Sequence, residues 1–347
     1  MDFTDMLTEF VAQGHPLDVD ELFVDESQDL SALQWDVVNL LASAAKRVTI
    51  AGDDDQAIYR WAGADVEHLV TMDGNVRVLG QSFRVPVLVQ RLANAVVEPI
   101  NQRRAKSWKS REEQGLIDRR LSFGHVTLDE SWKDDTQPIL VLARNNYVLT
   151  DQVIPLLKQQ GIVYEVDGKS SIPVKVLKAI TTWETLRKGE EPVRLGDVRE
   201  MYEFMSSGPR GVKRGFKLLP NYGDDPEEPI TMRDLVNTGG LLVDPTTVWH
   251  EAMEKLPTED MSYILAARSR GEKLRGTRPR VRLSTIHSAK GGEAHHVVLM
   301  KEIAQRTWRE LEQQPDDERR VWYVGATRAK QKLTIVESET ARSCPWL

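Results

Sequence analysis

Asp25 and Glu26 have the clearest capacity for chemistry in this sequence. They end the apolar run Leu22, Phe23, Val24 within Glu21-Leu-Phe-Val-Asp-Glu-Ser-Gln-Asp29. A buried strand that stops on two carboxylates places them at the carboxyl edge of a sheet, where open α/β folds bind ligands. One acid can hold Mg²⁺ while its neighbour orients or deprotonates a water, as nucleotide hydrolysis requires. Such a site also calls for a glycine-rich phosphate loop ending in Gly-Lys-Ser/Thr ahead of the acidic strand. The residues before Asp25 contain none. Gly168-Lys169-Ser170 holds the sequence's one Gly-Lys pair, but Val163 stands where the loop needs glycine, and the tripeptide follows the acidic strand. It reads as a polar turn after a strand over 162–166.

Periodicity outlines the elements that must position these groups. Phe3, Met6, Leu7 and Phe10 recur at helical spacing over 1–10. After the acidic strand, 33–45 reads as a helix, 47–51 as a strand and 76–79 as another short strand. A helix over 85–99 tolerates Pro86 in its first turn. Residues 137–143 form a strong strand, 151–160 a helix and 162–166 a strand. This alternation points to parallel α/β layers. Between about 170 and 279 charge rises, Gly/Pro clusters appear and strands become scarce. Helical patterns remain there over 174–187, 195–205 and 247–256, which suggests an inserted helical subdomain. Strand character returns at 281–285, 297–300 and 333–336.

Composition sets outer bounds. A chain of 347 residues can bury a large core and divides naturally into two or three domains. With 40% hydrophobic and 29% charged residues, the balance is that of an ordinary soluble protein. No apolar run approaches the ~20 residues of a membrane span, and no signal-peptide pattern opens the chain. The one cysteine, Cys344, excludes an internal disulfide framework and suits a reducing cytoplasm. A net charge of −7 speaks against a general nucleic-acid coat but leaves room for a local basic groove.

Five further segments follow the acidic strand in a telling order. They are Gly52-Asp-Asp-Asp-Gln-Ala-Ile-Tyr-Arg-Trp-Ala-Gly-Ala64, Gln81-Ser-Phe-Arg84, the strand–helix–strand unit 137–167, Val281-Arg-Leu-Ser-Thr-Ile-His-Ser-Ala-Lys-Gly-Gly-Glu293, and Glu318-Arg-Arg-Val-Trp-Tyr-Val-Gly-Ala-Thr-Arg328. Together these resemble motifs II to VI of the UvrD/Rep-like superfamily-one DNA helicases. The resemblance covers about 1–170 and 280–340. Residues 170–280 match the family's subdomain 2B by position alone.

The resemblance implies residue roles. Asp25 would hold Mg²⁺, with Glu26 beside it activating the attacking water. Gln56 would sense the γ-phosphate of ATP, and Arg84 and Arg328 would be arginine fingers. Phe83 would stack on adenine, where the family usually has Tyr, and Glu293 would bind the ribose hydroxyl. Tyr59 and Trp61 would stack on single-stranded bases, and Thr285 and His287 would touch DNA and couple it to the nucleotide. By residue type alone, the two acids also fit a solvated strand end, the aromatics fit core packing, the arginines surface ion pairs, and His287 a structural histidine. Ala294 departs from the family, which often has an aromatic there, and the phosphate loop with its adenine-contacting segment is absent.

The expected fold is therefore α/β and RecA-like: a truncated first domain over 1–78, a second over 79–170 with 280–347, and a helical 2B-like insertion over 171–279. The expected function is that of the C-terminal part of a UvrD-like, ATP-dependent 3′–5′ DNA helicase in replication or repair, acting on single-stranded DNA and duplex junctions. A separate polypeptide would supply the phosphate loop, and the location would be cytoplasmic. The alternative is a catalytically inactive helicase remnant acting as a DNA-binding or interaction protein.

Overall fold

The computed structural model describes residues 2–128, 132, 137–189, 191–274 and 278–347. The chain forms two compact units, Met1–Val153 with Leu283–Leu347, and Ile154–Arg282.

The first unit opens with the helix Phe3–Gln13, whose capping box pairs Asp2 with Asp5. Strands β1 (Glu21–Val24) and β2 (Arg47–Ile50) then pair in parallel, Glu21 opposite Arg47 and Val24 opposite Ile50. The helix Ala32–Ala42 joins them, started by a second capping box at Ser31 and Gln34. Both strands are open to solvent, and the Phe23 ring is 69% exposed. No strand forms over 76–79 among the described residues. Val76, Val78 and Leu79 lie exposed in irregular backbone, because β propensity without a neighbouring strand leaves the ladder unpaired. The helix Val87–Val97 follows with Pro86 at its N-cap rather than inside its first turn. Strands β3 (Leu116–Arg120) and β4 (Ile139–Ala143) come next, and every residue of β4 is buried. The helix expected over 151–160 is a wide turn, Leu149–Val153, leading into Ile154–Gln159. Pro155 has no N–H to offer a carbonyl one turn back.

The second unit begins its sheet structure with a hairpin of β5 (Tyr164–Val166) and β6 (Lys169–Ser170). Asp167 and Gly168, at φ 49° and 77°, make the two-residue turn, which needs left-handed backbone at both positions. Lys169 and Ser170 thus belong to a returning strand and not to a phosphate loop. The rest is mainly helical: Val174–Lys188, Leu195–Glu203, Met232–Asn237, Trp249–Ala252 and Thr258–Arg270, with the short pair β7 (Val193–Arg194) and β8 (Pro229–Ile230). Trp183, Tyr202, Met205, Leu235, Trp249 and Tyr263 are buried. The helix expected over 247–256 shrinks to four residues, Trp249–Ala252, ending at Met253, whose backbone leaves the helical region. Pro257 instead opens Thr258–Arg270, a helix with a narrow buried stripe that periodicity did not reveal.

The chain returns through β9 (Val281–Thr285), β10 (Ala294–Met300) and β11 (Ala329–Val336). In the first unit these build the order β3-β11-β10-β4-β9. The pairings of β10 with β11, β10 with β4, and β11 with β3 are parallel. A mostly parallel sheet must be covered on its faces. Helices Val87–Val97 and Pro315–Ala326 bring Val89, Val96, Trp322 and Val324 into one core with Leu140 and Leu299. Pro315–Ala326 starts with proline and carries Asp316, Asp317 and Glu318 in its first turn, where they complement the helix dipole.

Candidate nucleotide and nucleic-acid site

β1 delivers Asp25 and Glu26 to its carboxyl end, both exposed. The chain turns there abruptly: Glu26 sits in the left-handed region at φ 51°, unusual for a residue with a side chain. Its N–H donates to Asp25 Oδ1 at 2.8 Å, and Ser27 N donates to Ala51 O at 3.0 Å, tying the turn to the end of β2. Gly52 is required by close approach, since a Cβ there would meet Ser27 Oγ at 2.4 Å. Gln28 links the two turns. It donates to Glu26 Oε2 at 2.5 Å and accepts from Asp53 N at 2.9 Å.

Lys290, in the turn after β9, reaches this carboxylate group. Its ammonium pairs with Asp29, lies 3.7 Å from Glu26 Oε2 and donates to Gln56 O at 3.0 Å. Burial holds the Asp29 carboxyl above its ordinary value despite that contact.

Gln56 and Arg328 meet directly: Arg328 Nη2 donates to Gln56 Oε1 at 3.2 Å. Arg328 is 1% exposed and also donates to the carbonyls of Val324 and Gly292. Burial, with the neighbouring Arg84 guanidinium, pulls Arg328 down to about 10. Arg84 itself buries Nε without a hydrogen-bond partner. Two arginines close enough to repel, one with an orphaned donor, gather positive charge suited to an anion.

The turn bearing Gln56 is held by a cationic segment that sequence reading passed over. Asp55 is fully buried against Arg103, with Nε 2.6 Å and Nη2 2.9 Å away. Lys106 Nζ lies 2.6 Å from Asp53 and 3.2 Å from Asp55, and also pairs with Asp54. The Arg104 backbone N–H donates to Asp54 Oδ2 at 3.0 Å and Arg320 Nε to the Asp54 backbone carbonyl at 2.9 Å, while the Arg104 guanidinium donates to the carbonyls of Val70 and Met72. Burial alone would raise the Asp53 carboxyl, but Lys106, together with hydrogen bonds from Gln56 and the Asp55 N–H, holds the group low. Burial keeps Asp55 raised in spite of Arg103 and Lys106. The sequence signal was the cations at 103 and 106, after a helix, opposite three consecutive acids.

The aromatic candidates form a separate cluster. Tyr59, Trp61 and His287 have ring centroids 6.1 to 6.4 Å apart, and Tyr59 OH donates to His287 O at 3.1 Å. Of the nine tryptophans, Trp61 is the exposed one, at 75%, so it is not a core ring. Burial, then Arg144, lowers His287 to about 4. A cleft of about 700 Å³ opens beside Trp61 and His287.

Other candidates stand apart. The Phe83 ring is 87% exposed, which excludes its reading as plain core packing. Glu293 pairs with Lys330. Thr285 Oγ1 donates to Ser288 Oγ at 3.0 Å. No cluster of three or more His, Cys, Asp or Glu residues able to hold a metal occurs among the described residues. One or two exposed carboxylates such as Asp25 and Glu26 suit Mg²⁺, which keeps waters and substrate phosphates as its other ligands. The orphaned Arg84 Nε likewise fits a phosphate. No described helix is long and apolar enough to cross a membrane.

Residues 4–77 match the UvrD/REP helicase N-terminal domain and residues 247–340 the UvrD-like helicase C-terminal domain. The ATP-dependent DNA helicase PcrA of Staphylococcus aureus is 34% identical over 90 residues, 24% of this chain and 12% of that protein. The PcrA of Bacillus subtilis is 31% identical over 100 residues, 27% of this chain and 14% of that protein. The PcrA of Leuconostoc citreum is 36% identical over 87 residues, 24% of this chain and 12% of that protein. The matched stretch is thus a small part of these relatives. Two family domains in this order, together with the PcrA matches, support membership of the UvrD/PcrA-like DNA helicase family.

Proposed function

We propose that this chain carries the larger share of the ATP site and a single-strand track of a UvrD-like DNA helicase that couples ATP hydrolysis to unwinding. One observation carries the reading: Arg328 donates to Gln56 and lies near the like charge of Arg84, whose buried guanidinium Nε is left unpaired. Two like charges packed together lower the stability of a fold. A chain freed from catalysis would have no stability reason to retain them, so an anionic ligand gives the better account.

In this reading Arg84 and Arg328 bind the γ-phosphate and stabilise the charge that develops on its oxygens. Gln56 senses the γ-phosphate, and Glu26 activates the attacking water and accepts its proton. Asp25 would hold Mg²⁺, with Glu26 adjacent; the ion, when bound, neutralises phosphate charge. Phe83 offers a face to adenine and Glu293 an acceptor to the ribose. Trp61, Tyr59, His287 and Thr285 hold the DNA single strand. The cradle for the β- and γ-phosphates would come from polypeptide outside these 347 residues, continuous with Met1 or separate.

The test is DNA-stimulated ATP hydrolysis with a phosphate-loop segment supplied in either way. The 347 residues alone are expected to turn over negligible ATP, and the completed site to turn over ATP when single-stranded DNA is added. Glu26→Gln abolishes that turnover while nucleotide binding persists. Near-wild-type turnover in Glu26→Gln would remove Glu26 from the role of base.

A further inference from the structure

The charged lining of the cleft beside Trp61 is arranged in pairs. Arg60 Nη1 lies 3.0 Å from Asp317 Oδ1, Arg144 Nη2 2.6 Å from Glu318 Oε1, and Arg306 Nε 2.7 Å from Glu310 Oε1. Three arginines and three carboxylates line the cleft, and each arginine has its own acid. His287 adds no charge near neutral pH. A cleft for a polyanion would ordinarily leave its arginines free.

We infer that Glu310 and Asp317 are affinity-limiting residues of this cleft, holding Arg306 and Arg60 back from the phosphates of a bound DNA single strand. The inference rests on the proposed single-strand track. The Arg144–Glu318 pair is excluded from the role because Glu318 is buried and takes three hydrogen bonds from Arg144, so this pair is a fixed part of the wall. The other two are accessible: Arg306 is 90% exposed in its side chain and Arg60 41%. Exposed ion pairs are weak, so the guanidinium groups can exchange partners when an acid is lost. Phosphate affinity arises from counterions released as cations neutralise phosphates. A cation already neutralised by a carboxylate releases few. Stacking on Trp61 is untouched by those carboxylates, so bases and not phosphates dominate the contact. Such a track grips a strand without regard to sequence and weakly enough to let it advance.

The experiment uses the full chain and two labelled oligomers of equal length, oligothymidylate and an abasic phosphodiester, titrated by fluorescence anisotropy over a range of salt. Three free arginines would give a slope of log K against log[salt] of about −2, at roughly −0.7 per phosphate on a single strand. The wild-type slope is expected to be clearly shallower, with the abasic oligomer bound roughly fivefold more weakly or worse. Glu310→Gln should tighten the abasic complex and steepen the slope by roughly 0.7, and Asp317→Asn should do the same. Asp317 also takes Arg320 Nη1 at 3.2 Å, so its variant can lose stability. Glu310, half-exposed on the helix Gln305–Gln313, keeps the test open. A wild-type slope near −2, equal affinity for both oligomers, or an unchanged slope in a folded Glu310→Gln would overturn the inference while leaving the track intact. No binding of either oligomer by wild type or variants, even at low salt, would overturn the inference and the track together.

Discussion

Gln56 and Arg328 are 272 residues apart in sequence, yet the Arg328 guanidinium donates to the Gln56 side-chain carbonyl at 3.2 Å. The contact joins the turn after β2 to the residue that opens the way into β11. It joins the two chain segments of the first unit at a point where the positive charges of Arg328 and Arg84 lie close together.

Replacing Arg328 therefore has two separable effects. In the completed ATP site, Arg328→Ala should lower turnover by ~10³–10⁵, the range for loss of an arginine finger. It also strips hydrogen bonds from the carbonyls of Val324 and Gly292, costing about 1–3 kcal/mol of stability. Gln56→Ala leaves those carbonyls satisfied, loses only its 2.6 Å hydrogen bond to Asp53 besides the Arg328 contact, and should reduce turnover with a smaller loss of Tm. Equal losses of Tm in both variants would reduce the contact to a packing role.

Lys106 should be among the most sensitive positions for stability. Lys106→Met leaves Asp53 and Asp54 without their lysine and Asp55 with Arg103 alone, and breaking a buried ion pair costs ~3–5 kcal/mol. The cost should depend on pH. Asp53 has a folded pKa below its ordinary 3.8, so its share of the stabilisation is present above that value and lost as pH falls through the folded one. Urea unfolding of wild type and variant should differ most near neutral pH and converge in acid. A constant difference across that range would contradict the charge argument.

His287 gives the fold an acid weakness at milder pH. Its pKa falls from 6.5 to about 4 on folding, so the unfolded chain binds the proton first as pH is lowered. Stability is unaffected above 6.5 and declines between 6.5 and about 4, by on the order of 2–3 kcal/mol. His287→Gln should flatten this limb of the stability profile. NMR titration of the imidazole would test the assignment directly, and a midpoint near 6.5 would reject it.

Hydrogen exchange should separate the two sheets of the first unit. The strands β1 and β2 have one partner each and open faces, whereas β4 is buried at every residue and β10 at nearly every one. Amides of Leu22 to Val24 and Val48 to Ile50 should exchange much faster than those of Ile139 to Leu142 and Val297 to Met300. Equal protection in a monomeric sample would show that the small sheet is stable in its own right.

What the sequence alone determined is local. An apolar run ending in acids makes β1 and its carboxylates, Ser31 with Gln34 starts a helix, and Ile139 to Ala143 is too apolar to be anything but a covered strand. The order of the motifs made the helicase resemblance visible because each is a continuous stretch, most of them within a dozen or so residues. Where a local pattern had no neighbour to pair with, as over 76–79, it misled. What only the tertiary structure decided is partnership. Nothing in spacing links Arg103 to Asp55, Lys290 to Asp29 or Arg60 to Asp317, since those contacts join segments 48 to 261 residues apart. Side-chain periodicity reports which face of an element is buried. It carries no information about which distant charge will meet that face, and in this protein those meetings set the electrostatics of both candidate sites.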